Sequence, residues 1–175
     1  MGKHKQAGVA LFHNRLQRSD GNGALFSSAV LGADMRRVLV TGSRNLADST
    51  PVYEALWAQA RIAGGVDQLT VIEGRCPYGG ADLHAQRFCE LYGATNEPYP
   101  ALWEVPCIDE RGAHCRHMRR RTNGVIYYSC AGFIRNQRMV DTGAHVCLAF
   151  PRGESKGTRD CAKRAKAAGI PVIFG

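Results

Sequence analysis

Val146, Cys147, Leu148, Ala149 and Phe150 form an unbroken apolar run that ends directly in Pro151-Arg152-Gly153-Glu154-Ser155-Lys156-Gly157-Thr158. A strand without polar alternation has to be covered on both faces, which is the condition of a central strand in a parallel sheet flanked by helices. Pro151 offers no amide and stops the ladder. Gly153 and Gly157 let the backbone take positive φ or pass close to a ligand, and Ser155 or Thr158 stands where a helix wants its N-cap. A loop that leaves the carboxyl end of such a strand and feeds a helix N-terminus is a ready phosphate site. Pro151, Arg152, Gly153, Ser155, Gly157 and Thr158 are therefore ligand-binding candidates.

The same strand, loop and helix unit recurs upstream. Val38, Leu39 and Val40 make a buried strand over Arg37 to Thr41, and Gly42-Ser43-Arg44 follows as a short turn. As a ligand loop it would offer the Ser43 hydroxyl and turn amides to a phosphate or ribose, with Arg44 adding charge; the plainer reading is a strand exit with a solvated arginine. Thr50 and Pro51 fit the N-cap and first turn of a helix in which Val52, Leu56, Ala60 and Ala63 recur at helical spacing until Gly64-Gly65. Leu69 to Ile72 is a second strand, closed by Glu73-Gly74, and Gly79-Gly80 would bring the next helix N-terminus close to a ligand. Asp82 can accept a bond from a ribose hydroxyl or cap its own helix, which runs to Tyr92 and buries Ala81, Ala85, Phe88 and Tyr92. His84 reads as a surface or helix-packing histidine.

Ala94 to Tyr99 is too polar to be a central strand, and Thr158 to Ala168 is a helix burying Cys161, Ala165 and Ala168. Ile170 to Phe174 is a last apolar strand. Strands alternating with helices predict an α/β fold, a Rossmann-like three-layer sandwich with a mainly parallel sheet of about five strands.

Between residues 104 and 130 the composition shifts to a Cys/His-rich insertion. Cys107, Cys115, His117 and Cys130, with His114 as a substitute, form a candidate structural zinc set, since zinc takes four such ligands and clips a loop that has no core of its own. The spacing is not that of a standard finger, and a reducible disulfide or free thiols is the competing reading. Thr122-Asn123-Gly124-Val125 is a hairpin turn that would return Cys130 towards Cys107. Arg116, Arg119, Arg120 and Arg121 could grip phosphates or simply be solvated, and the insertion could cover the pocket as a lid.

Arg135, Asn136 and Met139, followed by a strand and then by Pro151, Gly153, Gly157 and Thr158, resemble the SLOG superfamily. This is the Rossmann-like group that includes the LOG-type nucleoside-monophosphate phosphoribohydrolases and the DNA-processing protein DprA; the chain resembles most its YspA, cpYpsA-related branch. LOG-type enzymes carry an R-K-x-x-M helix and a P-G-G-x-G-T-x-x-E loop. Here Asn136 replaces the lysine, the loop is longer, and Cys161 stands at the place of the glutamate, with Asp160 one residue earlier.

The resemblance implies a nucleotide phosphate on the 153–158 loop and Arg135 on a phosphate or sugar oxygen. Gly42, Ser43, Arg44, Gly74, Gly79, Gly80, Asp82 and Asn136 complete the implied ligand set. Hydrolysis of the N-glycosidic bond would need a carboxylate against the sugar. Asp160 is offset from the family position by a helix rotation of roughly 100°, which leaves Glu154 and Glu73 as substitutes. A domain that senses or sequesters a nucleotide needs the glycine loops and Arg135 but no such carboxylate, and the altered motif favours it over the hydrolase. DprA-like binding of nucleic acid is a third reading. A homodimer is implied by analogy with LOG-type relatives.

The 23 Lys and Arg against 15 Asp and Glu give a net charge of +8, which favours anionic ligands without naming one. No apolar run approaches a membrane span, and an odd count of 7 cysteines, several within apolar patterns, points to a reducing cytoplasm. Residues 1–34 are rich in Gly, Asn, Ser and Gln, with apolar residues only in short pieces. They read as a disordered extension, with a basic amphipathic helix from Val9 to Arg18 as the alternative, and residues 35–175 as the nucleotide-binding domain.

Overall fold

A computed structural model describes residues 35–106 and 117–175. The extension at 1–34 lies outside the described residues, as do Cys107, His114, Cys115 and Arg116. The first strand, β1, is Arg36–Gly42, and its alternate residues divide the molecule. Val38 and Val40 face one apolar cluster, while Leu39 faces another. Strand periodicity thus forces a layer of helices onto each face of the sheet.

The first layer is α1 (Thr50–Ala63) and α2 (Ala81–Tyr92), whose Val52, Leu56, Ala85 and Phe88 meet Val38 and Val40. β2 (Leu69–Glu73) lies between these helices in sequence and pairs in parallel with β1. β3 (Thr95–Pro98) pairs in parallel with β2 as an edge strand, which suits its polar sequence. Then β4 (Met118–Arg120) and β5 (Ile126–Tyr128) form a separate antiparallel hairpin, turned at Gly124 with φ +84°.

The second layer is α3 (Ala131–Asp141) and α4 (Lys156–Ala167), which bury Met139, Val140, Cys161 and Ala165 against Leu39 and Ile72. Between them β6 (Val146–Phe150) is buried along its whole length, as its unbroken apolar sequence requires. It pairs in parallel with β1 on one side and with β7 (Val172–Phe174) on the other. The sheet order is β3-β2-β1-β6-β7, all parallel: the Rossmann-like three-layer sandwich expected from the sequence. Fully buried side chains such as Phe88, Phe150, Leu39 and Leu56 each contribute about 1.5–3 kcal/mol.

Helix ends depart from the sequence reading. Ser49, not Thr50, takes the N-cap position of α1, and the Thr50 amide bonds Asp48 Oδ1 at 2.9 Å. α4 begins at Lys156, two residues before Thr158: Ser155, the other candidate, takes the N-cap position, though its hydroxyl meets the Thr158 hydroxyl at 2.6 Å rather than a helix amide. Ala168 is exposed, since the chain leaves α4 there to reach β7. Tyr92 is also exposed, closing the outer edge of a ring cluster with Tyr53, Trp57 and Phe88 instead of entering the core. His84 is buried and its Nε2 lies 2.9 Å from the Leu46 carbonyl, so it packs α2 against the loop after β1. Among the described residues no helix is long and apolar enough to cross a membrane.

Candidate functional site

The order β2-β1-β6 places a topological switch between β1 and β6, because successive crossovers leave them in opposite directions. The loops that follow two such strands part from each other and open a crevice. An open cleft of about 620 Å³ lies there. Its floor is Thr41 and Gly42 at the end of β1, and its walls come from the loop before α2, the loop before α4, α3 and the segment after β3.

Steric fit sets the wall before α2. Gly80 has φ +78°, and a Cβ there would fall on the Ser43 carbonyl oxygen and the Arg44 backbone. Only glycine lets the two loops touch. Ser43 then ties the β1 loop to the β6 loop: its hydroxyl accepts the Arg152 amide at 2.7 Å, and its own amide donates to the Phe150 carbonyl at 3.0 Å. Ser43 therefore serves the loop framework as well as lining the cleft.

Arg135 reaches from α3 across Gly74. Its Nη1 donates to the Gly74 carbonyl and lies 3.5 Å from Asp82 Oδ2, while its Nε is enclosed without a hydrogen-bond partner. A Cβ on Gly74 would occupy the guanidinium's place. Asp82, in the first turn of α2, also accepts the Cys76 amide and so does not cap its own helix, whose N-cap position is Gly80. Burial pushes the Asp82 carboxyl above its ordinary range, with Arg135 and the Cys76 amide pulling the other way.

The wall before α4 is open. Gly153 has φ +56°, and beyond the adjoining chain and the backbone of α4 no atom of the described residues stands within 4 Å of where a Cβ on Gly153 or Gly157 would be. Arg152, Glu154, Ser155, Lys156, Gly157 and Thr158 line the cleft from this side. Arg44, Arg75, Arg135, Arg152 and Lys156 face Asp82 and Glu154 across it, so cations prevail. The start of α4 adds the positive end of a helix dipole.

Of the residues singled out from the sequence, the cleft gathers Gly42, Ser43, Arg44, Gly74, Asp82, Arg135, Arg152, Glu154, Ser155, Gly157 and Thr158. Pro151, Gly153, Gly79, Gly80, Asn136 and Asp160 are not on its lining. Asn136 Nδ2 is spent on the Gly157 carbonyl and on Asp160 Oδ2, both at 3.0 Å, and Asp160 also takes the Arg164 guanidinium at 2.8 Å. Asp160 thus helps join α3 to α4. Cys161 is fully buried; its bond with the Cys147 thiol lowers its pKa and raises that of Cys147. Glu73 is buried too, and burial raises its pKa, while the Arg75 amide and Asn96 bond its carboxyl.

Sequence reasoning missed Arg75, Tyr78, Trp103 and Lys156. The two rings sit in irregular loops, where no periodicity marks them; the signal available was an aromatic beside glycines and prolines in Cys76-Pro77-Tyr78-Gly79 and Pro100-Ala101-Leu102-Trp103. Of the zinc set, only His117 and Cys130 fall among the described residues. The hairpin sets the His117 carbonyl against the Ser129 amide at 2.9 Å, one residue from Cys130. Among the described residues no three His, Cys, Asp or Glu side chains converge as a metal site.

The chain matches no protein-family model. It is 39% identical over 153 residues to the Gene 61 protein of Mycobacterium phage D29, a match that takes in 79% of this chain and 95% of the relative. The chain belongs to that protein's family. In structure it is similar to the DNA processing protein A (DprA) of Streptococcus pneumoniae, with a TM-score of 0.54 and 12% identity over 80% of this chain. The likeness covers 50% of DprA, so the chain spans about half that protein's length, and what the two share is the Rossmann-like fold.

Proposed function

We propose that the cleft binds a nucleotide or nucleotide-derived ligand, and that the chain is a sensing or sequestering SLOG domain akin to the YspA, cpYpsA-related branch. The observation that carries this reading is the cleft itself. It lies at the switch point, and Arg44, Arg75, Arg135, Arg152 and Lys156 surround it together with the first turn of α4. A phosphate would rest on the residues 155–158, and the unpartnered Nε of Arg135 would turn to a phosphate or sugar oxygen.

Binding without cleavage is favoured over a phosphoribohydrolase by the carboxylates. Cys161 replaces the family glutamate, Asp160 is engaged by Asn136 and Arg164, and Asp82 is held by Arg135. Among the described residues Glu154 is then the cleft-lining carboxylate that remains, and it stands on the exposed rim. Nucleic acid remains a second ligand class, supported by the fold shared with a DNA processing protein and by the exposed Arg119, Arg120 and Arg121 on the hairpin. Cys76, Cys89, Cys147 and Cys161 are thiols outside any disulfide, which suits a cytoplasmic setting. A zinc ion on Cys107, Cys115, His117 and Cys130 belongs to the same proposal, and metal analysis of the purified protein checks it.

Calorimetry with a panel of nucleoside monophosphates and ADP-ribose-type nucleotides, with chromatography for free base in the same samples, tests the function. Binding with no base released is the expected result. Release that is abolished by Glu154→Gln would establish the hydrolase instead, and no binding by any member would overturn the nucleotide reading.

A further inference from the structure

We propose that Tyr78 is the stacking surface for the base of the ligand, with Arg44 against its ring, so that the cleft selects base-bearing phosphates over bare sugar phosphates. This rests on the reading of the cleft as a nucleotide site and assigns a part of it that phosphate-binding loops do not supply. Tyr78 lines the cleft yet is 66% exposed. A ring left that far in water adds little to the core and keeps most of its surface free for a ligand.

The ring is nonetheless held. Gly80, two residues on, packs against the Ser43 carbonyl and the Arg44 backbone, so the loop bearing Tyr78 and the loop bearing Arg44 form one unit. The Arg44 guanidinium then lies 5.6 Å from the centre of the Tyr78 ring. A cation against an aromatic face restrains both groups and leaves a flat π-surface ready for a second flat group. Ribose 5-phosphate has no such group, whereas every nucleobase does.

A second ring is placed towards the same space. Trp103 lines the cleft from the segment after β3, packs against Gly132 at the start of α3, and accepts the Tyr128 amide on its carbonyl at 2.8 Å. Phosphate-binding groups thus stand at the α4 side and aromatic rings at the β2 and β3 side of one cleft. A ligand that used both would carry a phosphate at one end and a flat aromatic ring at the other.

The test is calorimetry of the full chain with adenosine, guanosine, cytidine and uridine 5′-monophosphates and with ribose 5-phosphate. For the wild type, at least one monophosphate is expected to bind about tenfold or more tightly than ribose 5-phosphate. Tyr78→Ala should bring that monophosphate to the level of ribose 5-phosphate while leaving ribose 5-phosphate itself unchanged, and Tyr78→Phe should retain the preference. Arg135→Ala should weaken both kinds of probe. If Tyr78→Ala shifts both probes equally, or neither, or if no monophosphate exceeds ribose 5-phosphate, the stacking role is overturned while the phosphate site stands. If none of the five probes binds, the nucleotide reading falls and this inference with it.

Discussion

The two loop walls of the cleft are both glycine-rich, and they use glycine for different reasons. Before α2, a side chain on Gly80 would meet backbone, and one on Gly74 would meet the Arg135 guanidinium. On the other wall, Gly153 in the loop and Gly157 in the first turn of α4 have open space, among the described residues, on the side where a Cβ would be. The first wall is closed by the protein's own atoms, so its glycines serve the fold. The second is left vacant by them, so any close approach its glycines permit is to something outside the chain. A glycine-rich string of letters does not distinguish these cases; the atoms over each α-carbon do.

The sharpest way to break the comparison is to add one methyl group to each wall. Gly80→Ala forces a backbone with φ +78° to carry a Cβ against the Ser43 carbonyl, at a cost of about 2–3 kcal/mol or more. Gly157→Ala lies in the first turn of α4, where alanine is the better helix former by about 0.5–1 kcal/mol. Thermal or denaturant melts should therefore show a large loss for the first variant and no loss, or a small gain, for the second. Equal losses would mean that the open wall is as packed as the closed one.

Gly74→Ala separates fold from site within the closed wall. Its Cβ would meet the ends of two side chains, the Arg135 guanidinium and the Asp82 carboxylate, rather than backbone, so both can shift and the stability cost should be smaller than for Gly80→Ala. Arg135 would then leave the Gly74 carbonyl and Asp82. Losing a charge-assisted contact to a phosphate or sugar oxygen lowers affinity by about 1.5–3 kcal/mol, so Gly74→Ala should weaken ligand binding nearly as much as Arg135→Ala. Calorimetry on both variants checks it, and unchanged affinity in both would remove Arg135 from the site.

The sheet was legible because its evidence is local. The unbroken Val146–Phe150 run, the Val38-Leu39-Val40 run and the Gly64-Gly65 pair that ends a helix each report a physical need of their own short segment. The polar third strand was read as peripheral and is an edge strand. Tyr92 and Ala168 were misplaced because helical spacing extends a face past the point where the core stops. Of the two partners of Asp160, Arg164 stands one helical turn on in α4 and its spacing was there to read, whereas Asn136 was not legible, since it reaches Asp160 only through the packing of α3 on α4. The rim rings escaped for a similar reason: Tyr78 meets Arg44 only because Gly80 brings two distant loops together.

The smallest effect expected concerns charge on the closed wall. Glu73 ends β2 fully buried, whereas Glu154 on the open wall is exposed. Burial raises the folded-state pKa of Glu73 even though the Arg75 amide and Asn96 Nδ2 bond its carboxylate. A raised pKa means that the folded chain holds this proton more tightly than the unfolded one. Its contribution to stability is complete below the unfolded value and is lost as pH rises through the folded one. Asn96 Oδ1 is buried and unpartnered, and a protonated Glu73 or a glutamine amide could donate to it. Glu73→Gln should therefore melt higher than the wild type above that window, with the difference shrinking as the pH is lowered through it. A Glu73→Gln variant that melts lower than the wild type at every pH would mean that the Arg75 and Asn96 bonds outweigh burial, and that the closed wall holds a charge after all.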